Sequence, residues 1–532
     1  MIKLSNIKVS IDNADRSLKS IAAKKLRIKS DDIKKIICLK KSVDARKKND
    51  ICFVYMLAVS VKNERSIIKR FENNPNISEY ISFEYQEPSI TFSSQRPVVV
   101  GFGPAGMFAA LLLAKAGLKP IVLERGACAV ERRKAVDLFR TTGKLDTESN
   151  IQFGEGGAGT FSDGKLNTGI NDKRIKHVLE VFVEHGAPDD ILYTAKPHIG
   201  TDYLINVVQN IRKTIENLGG EVRFGSKFIG YDVTSDNSLS CIHYVRNGEE
   251  CTINTDKCIL ATGHSARDVF RMLKNNNVSL SSKNFAMGVR IEHLQEDLNK
   301  CMYGKNFSND ILPPADYKLA VHLPNGRSLY TFCMCPGGEV VASASEENRL
   351  VVNGMSYHAR NGANSNSALL IGISPESLGK DDPLAGLLLQ ETLEERAFKS
   401  GGGMYQAPVC LVGDFLEHRI STDFGKVKPT YIPGVKFASP DEYLPDFMLE
   451  TLRKGILAMG QKLKLFNDPE AILTGIESRS SSPVRINRNS FYQSVSVLGL
   501  YPCGEGAGYA GGITSSAVDG LKCAESLIDT LK

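Results

Sequence analysis

Three glycines and one carboxylate set the first chemistry open to this chain. Gly101, Gly103 and Gly106 follow a short apolar run in the spacing GxGxxG, and Glu124 closes the next apolar run. Glycine at the first position allows a tight turn, at the second lets backbone approach a pyrophosphate, and at the third lets helix and strand pack closely. Pro104 and Ala105 open the helix whose free amides would face the phosphates. Glu124 stands where a carboxylate accepts hydrogen bonds from ribose hydroxyls and repels a 2′-phosphate. Arg125 beside it completes the expected contact set. The pattern reads as a site for FAD or NAD rather than NADP.

Two further stretches decide between those dinucleotides. Gln152 to Gly169 holds six glycines, more positions without a β-carbon than a surface loop needs. It is expected to wall a flat or charged ligand with Gly157, Thr160, Ser162, Asp163 and Lys165. Far downstream, Pro502 to Ile513 sets Glu505 between Gly504 and Gly506, then starts a helix after Gly512. Amides opening that helix at Gly512 and Ile513 would face a flavin edge and stabilise its anionic reduced form. A site for NAD alone has no use for this second element. FAD is therefore the expected cofactor, bound non-covalently, with a nicotinamide nucleotide possible as a transient donor.

The remaining reactive residues are candidates for the substrate side. Ala261, Thr262 and Gly263 end a strand that should return over the dinucleotide, and His264, Arg267 and Asp268 follow directly. His264 could reach substrate, although a loop histidine satisfied by backbone is common. Lys165, His264, Arg290 and Cys335 are the expected catalytic residues, with His293 and Arg485 as further anion anchors. Cys333 and Cys335 invite a redox reading, but a disulfide across one residue closes a cramped ring, and a packed turn before Gly337 is the plainer expectation. The twelve cysteines show no CxxC pair and no Cys/His grouping at zinc spacing, so no metal is expected.

These residues require a βαβ unit to hold them. Val98 to Val100 reads as a central parallel strand, Ala105 to Ala116 as a helix ended by Gly117, and Pro120 to Leu123 as the second strand. Helices are expected at Val130 to Thr142 and Thr201 to Leu218, strands at Glu221 to Phe224 and Lys257 to Gly263, and hairpins between them. From about Ser281 the pattern changes to a mixed sheet, with strand-like runs at Met287 to Ile291, Lys318 to Leu323, Leu329 to Cys333 and Val340 to Ser343. Helices are expected there at Asn366 to Leu370, Leu384 to Ser400 and Met448 to Leu465.

The first 94 residues read as a separate small α/β unit. Residues 1–95 carry 19 Lys/Arg against 11 Asp/Glu, while the remainder is nearly balanced in a chain of net charge +6. Strands are expected at Ile7 to Ile11, Ile33 to Leu39, Ile51 to Val61 and Ile77 to Tyr85, and helices at Ala14 to Leu26 and Asn63 to Phe71. That order favours a ferredoxin-like sandwich without a cluster. Glu87 to Pro97 reads as the linker.

The expected fold is thus α/β: a Rossmann-like FAD-binding unit at 95–280 and 476–532, an inserted α+β substrate-side unit at 281–475, and the small basic unit at 1–94. A length of 532 residues agrees with several domains, and 42% apolar with 24% charged residues is ordinary for a globular protein. No signal-peptide pattern or run long enough to span a bilayer is present, so the expected location is the cytoplasm. The basic surplus alone does not call for nucleic acid, since no aromatic-basic RNA motif accompanies it.

Read together, GEGGAGTFSDGKL at Gly154 to Leu166, ATGHSA at Ala261 to Ala266, CPGG at Cys335 to Gly338 and PCGEGAGYAGGI at Pro502 to Ile513 resemble a widespread bacterial family of FAD-dependent dehydrogenases of unassigned substrate. More broadly the chain resembles two-dinucleotide-binding-domain flavoproteins, in the branch that groups with p-hydroxybenzoate hydroxylase and fumarate reductase flavoproteins. The usual aspartate of the C-terminal element is Glu505 here, a departure from the hydroxylase pattern. The resemblance implies FAD at Gly101, Gly103, Gly106, Glu124 and the C-terminal glycines, and supplies no substrate. The leading expectation is an oxidoreductase passing hydride between flavin N5 and a small organic substrate, with a protein electron carrier as a possible partner. The alternatives are a flavin monooxygenase, or a flavoprotein targeted to RNA or a partner by its basic first domain.

Overall fold

The computed structural model describes residues 1–13, 17–90, 95–379 and 381–532. The expected helix start at Ala14 to Arg16 and linker residues 91–94 lie outside them.

A parallel five-stranded sheet carries the site. Its order is Leu500–Pro502, Cys258–Leu260, Val98–Val100, Ile121–Leu123 and Glu221–Arg223, every neighbouring pair parallel. Val98, Val99 and Val100 are buried because helices and a hairpin sheet cover both faces, which is why the run shows no polar alternation. Helix Pro104–Lys115 packs on one face together with Ile513–Asp529 and Thr201–Asn217. Proline at the first helical turn suits its fixed φ and needs no amide partner. The opposite face meets the antiparallel strands Ser226–Val233, Leu239–Arg246 and Glu249–Asn254 and helix Arg267–Asn275.

A seven-stranded sheet forms the second large layer. Its order is Ala320–His322, Ser328–Cys335, Asn364–Ile373, Phe285–Leu294, Ile472–Glu477, Ala407–Leu411 and Val435–Phe437, antiparallel except for the last pair. Helices Ala385–Ser400 and Asp446–Lys462 flank it, close to the expected positions. The expected helix at Asn366 to Leu370 is instead part of a strand, Asn364–Ile373. Nine of its ten residues are buried between neighbouring strands, and a short apolar run buried on both faces has no period to separate strand from helix.

The first unit is the expected ferredoxin-like sandwich. Strands Ile33–Asp44, Cys52–Val61, Ile2–Ser10 and Ile77–Glu79 form one antiparallel sheet in that order, with helices Leu18–Leu26 and Glu64–Arg70. The last strand stops at Glu79 rather than Tyr85. Tyr80 N–H donates to the Met1 carbonyl, the final pairing its neighbour strand provides. Beyond it Ile81 is exposed, and Tyr85 stacks on His177 and donates to Glu525 on the terminal helix. No helix of the described residues is long and apolar enough to cross a membrane.

Candidate functional site

Parallel strands bring their C-terminal ends to one edge, and a crevice forms there. A cavity of about 470 Å³ opens at that edge, lined by Gly101, Glu124, Ala261 and Cys503 where four strands end. Gly103, Pro104 and Ala105 at the first helix start line it, as do Gly512 and Ile513 at the last. Neither helix start has a side-chain cap, so both N-termini leave amides for a bound group. A β-carbon on Gly157 would lie 2.9 Å from Gly103 Cα, so the glycine-dense segment touches the first glycine turn.

Glu124 gathers the turn around itself. Its carboxylate accepts from the amides of Phe102, Gly126 and Gly154, at 2.8 to 2.9 Å, with the last two on one oxygen. The other oxygen takes one donor and retains acceptor capacity for a ribose hydroxyl. Arg125 lies over the Phe153 ring, 4.4 Å to the centroid, and donates to Asp268. Arg125 and Phe153 both line the cavity.

The residues present fit a dinucleotide. A β-carbon built on Gly263, Gly511 or Gly512 meets nothing within 4 Å, so these cavity-lining positions hold open a space for a ligand. The buried Nε2 of His264, also lining the cavity, has no hydrogen-bond partner among the described residues.

Most of the expected cofactor residues line this cavity, including Ser162, Asp163, Lys165, Thr262 and Glu505. Gly106, Thr160 and Gly504 do not. Gly106 is packed against the Gly101 backbone, as its role in helix–strand contact requires. Thr160 is buried, donates to the Glu155 carbonyl and accepts at its own carbonyl from Thr201. A β-carbon on Gly504 would meet the Ala105 side chain at 2.7 Å, so it spaces the two helix starts rather than walling the ligand.

The substrate-side candidates divide. Lys165 reaches the cavity; its ammonium sits 2.7 Å from Asp163 and 3.7 Å from Cys335 Sγ. Burial alone would pull Lys165 down, but the charge shared by the Cys335–Cys333 pair and the Asp163 carboxylate carry it above its ordinary value. Burial likewise opposes ionisation of Asp163, yet Lys165 and Arg360 hold it well below the usual carboxylate range. Asp163 is therefore a buried anchor rather than a free ligand contact.

Arg290 does not face the cavity. It is fully buried, with Nε 2.8 Å from Glu477, Nη1 on Asn366 and Nη2 on the Cys333 carbonyl. Its strand is covered on both faces, so a cationic side chain there must find partners inside. His293 is buried for the same reason between Tyr317 and Phe466, where burial pushes it down to about 3. Arg485 lies over the Tyr509 ring away from the cavity. Cys335 is fully buried, whereas Cys333, half-buried, lines the cavity.

His264 and Glu505 face each other, Nδ1 to Oε1 at 3.6 Å. Burial, with Arg479 and Arg267 nearby, pushes His264 down to about 3, while burial pushes Glu505 up to about 7. A neutral imidazole and a carboxyl poised near neutrality can hold or move a proton there.

Other lining residues were not singled out by sequence reasoning. Glu477 and Arg479, on and just after the strand Ile472–Glu477, border the cavity, as do Tyr317, Lys318 and Asn353. Burial pushes Glu477 up to about 8 against the pull of Arg290. Arg479 also binds Glu394, which Arg267 grips from the other side. No spacing in the sequence marks these positions, because they come together only where the two sheets meet.

Against known proteins, residues 284–480 match the family described as "FAD-dependent protein, C-terminal domain-like", and residues 1–60 match a domain of unknown function. An uncharacterized protein of Clostridium beijerinckii is 49% identical over 532 residues, covering 99% of this chain and 98% of that protein. Among solved structures, a glycerol-3-phosphate dehydrogenase from Bacillus halodurans complexed with FAD is similar at 11% identity and a TM-score of 0.35, over 82% of this chain and 64% of that one. A glycine oxidase from Bacillus cereus is similar at 11% identity and a TM-score of 0.32, over 82% and 96% of the two chains.

Proposed function

The chain belongs to the same family as the Clostridium beijerinckii protein and carries the C-terminal domain of FAD-dependent proteins, and on that premise we propose how it works. It is an FAD-dependent oxidoreductase. In our reading it transfers hydride between the flavin and a small organic substrate held under the seven-stranded sheet. Bound FAD supplies a two-electron carrier that takes or gives a hydride. One observation supports this reading above the others: both glycine-bearing helix starts and four strand ends open on a single cavity.

The chain's own residues have distinct tasks. Glu124 would accept a ribose hydroxyl at its less occupied oxygen, and Arg125 with Phe153 would flank the base. The amides of Gly103 and Ala105 would hold the phosphates, and those of Gly512 and Ile513 would face the flavin edge. Lys165 and Arg479 offer positive charge to an anionic substrate, and Glu505 with His264 holds the proton that accompanies electron transfer.

The working division is 1–94, an FAD-binding part and an inserted part. Strand Ile472–Glu477 belongs to the seven-stranded sheet, so we set the second boundary of the insert after it. Strand Leu280–Ser282 pairs with Val484–Ile486 and stays with the FAD-binding part.

The test is spectroscopic. Protein purified after expression with riboflavin should be yellow and release FAD on denaturation. Anaerobic mixing with NADH, NADPH and dithionite then identifies the donor. Bleaching by a nicotinamide nucleotide supports transient donation by it. Bleaching by dithionite alone removes that donor, and colourless protein that takes up no added FAD overturns the whole reading.

A further inference from the structure

We propose that Cys333 and Cys335 form a dithiol–disulfide couple at the FAD cavity, Cys333 as the attacking thiolate and Cys335 as the resolving thiol, which accepts electrons from FAD and passes them to a small disulfide. The inference rests on the flavin reading above for its electron source, but its thiol chemistry stands apart from it.

The backbone at this point is unusual. Strand Ser328–Cys335 loses register with Asn364–Ile373 between Phe332 and Cys335, and Cys333 holds φ of +41°. A residue with a β-carbon pays strain there, and a bulge re-aims the side chain it carries. Arg290 fixes the bulge, donating from Nη2 to the Cys333 carbonyl at 2.8 Å while Nη1 holds Asn366 at 3.0 Å. As a result Cys333 lines the cavity and Cys335 lies wholly buried behind it.

The two thiols, one residue apart, are unequal in exposure: Cys333 is half-buried and Cys335 buried. The Cys335 thiol donates to the Cys333 carbonyl at 3.3 Å and accepts from Lys165 at 3.7 Å. The neighbouring Cys335 first, with Lys165 and Arg290 after it, lowers Cys333 below an ordinary thiol despite its burial. Cys335 moves the opposite way for the same reason. Asp163 opposes the shift of Cys333 but is itself paired with Lys165 and Arg360. An accessible thiolate in front of a protonated buried thiol is the arrangement that thiol–disulfide exchange requires.

The steps balance. Cys333 thiolate attacks one sulfur of RSSR, forming a mixed disulfide and expelling RS⁻. Cys335 sulfur then attacks Cys333 sulfur, expelling a second thiolate, and the Cys335 proton leaves with it as RSH. The pair is now a disulfide. Its return to one thiolate and one thiol takes two electrons and one proton, the amount that reduced FAD, as its anion, gives up on reoxidation. Lys165 and Arg290 are positioning residues in this scheme, holding the thiolate charge and the bulge.

Both cysteines fall on one tryptic peptide, residues 328–349, which contains no other cysteine. Holoprotein treated with 5,5′-dithiobis(2-nitrobenzoate) should yield that peptide as an internal disulfide with no adduct. Cys335→Ser should keep a thionitrobenzoate adduct on Cys333, and Cys333→Ser should react at Cys335 at least about tenfold more slowly. Lys165→Met should move the pH midpoint of Cys333 alkylation upward while the protein remains folded. After oxidation, anaerobic titration of the wild type should consume about four electrons per chain, two for flavin and two for the disulfide, against two in Cys333→Ser. An adduct on wild-type Cys333 that never resolves, or a wild type that consumes only two electrons, overturns the couple. Colourless protein that still forms the internal disulfide defeats the flavin reading and leaves the thiol exchange supported.

Discussion

Gly520 on the final helix lies against Ala105 at the start of the first, so close that a β-carbon on Gly520 would fall 2.9 Å from the Ala105 carbonyl carbon. The two residues are far apart in the chain, yet their helices share one buried face, with Ala517, Val518, Leu521 and Ala524 packed among Phe108, Ala109 and Leu112. This contact aligns both helix N-termini on the same cavity.

Gly520→Val should therefore push the helices apart. Overpacking of this kind costs about 1–3 kcal/mol, and the expected result is a lower thermal midpoint with reduced flavin content. Flavin fluorescence followed through a thermal ramp measures both. A variant as stable and as yellow as the parent would mean that the helix pair does not set the cavity.

Glu124→Ala should destabilise the glycine turn before any ligand is considered. Three backbone donors, Phe102, Gly126 and Gly154, lose their acceptor in a buried setting. Each unsatisfied buried donor costs about 1–3 kcal/mol where water cannot replace the acceptor. Urea midpoints with and without added FAD would separate this loss from the weaker FAD binding also expected. An unchanged midpoint would show that water enters the turn.

Glu394→Gln tests the ion cluster that ties helix Ala385–Ser400 to the cavity wall. Glu394 is fully buried, and Arg267 and Arg479 both donate to it, which holds it far below the usual carboxylate range despite burial. Breaking such a cluster from one side leaves buried cations uncompensated, at about 3–5 kcal/mol. A double variant, Arg267→Met with Glu394→Met, should lose less than the sum of the single changes. Strict additivity would show that the two do not interact.

The pH dependence of stability follows from Glu505. Burial raises its folded value from 4.5 to about 7, so the folded chain binds this proton more tightly than the unfolded one. Its contribution to stability is therefore lost as pH rises from about 4.5 to about 7, by an amount on the order of 3 kcal/mol, and is flat above. Glu477, raised to about 8, acts with the same sign over a slightly wider window. His264, lowered to about 3, acts on the acid side, its contribution being lost as pH falls below its ordinary 6.5. Denaturant midpoints across this range should slope less steeply in Glu505→Gln than in the wild type. An identical slope in the variant would place the dependence elsewhere.

The sequence alone determined the parts whose physics is local. GxGxxG and the strand before it specify a turn within one βαβ unit, and Glu124 follows from the length of that unit, so both are legible without knowing what packs on them. The order of elements in residues 1–79 likewise fixed the ferredoxin-like sheet, because its strands alternate faces or end in recognisable turns. Tertiary structure decided what faces the cavity. The strand Phe285–Leu294 is buried on both sides, so no alternation could show that Arg290 and His293 turn inward. Cys333 rather than Cys335 reaches the cavity because a bulge breaks the two-residue period at that place. Glu477 and Arg479 join the site only because one sheet closes over the strand ends of another, and contacts across such a seam leave no spacing in the chain.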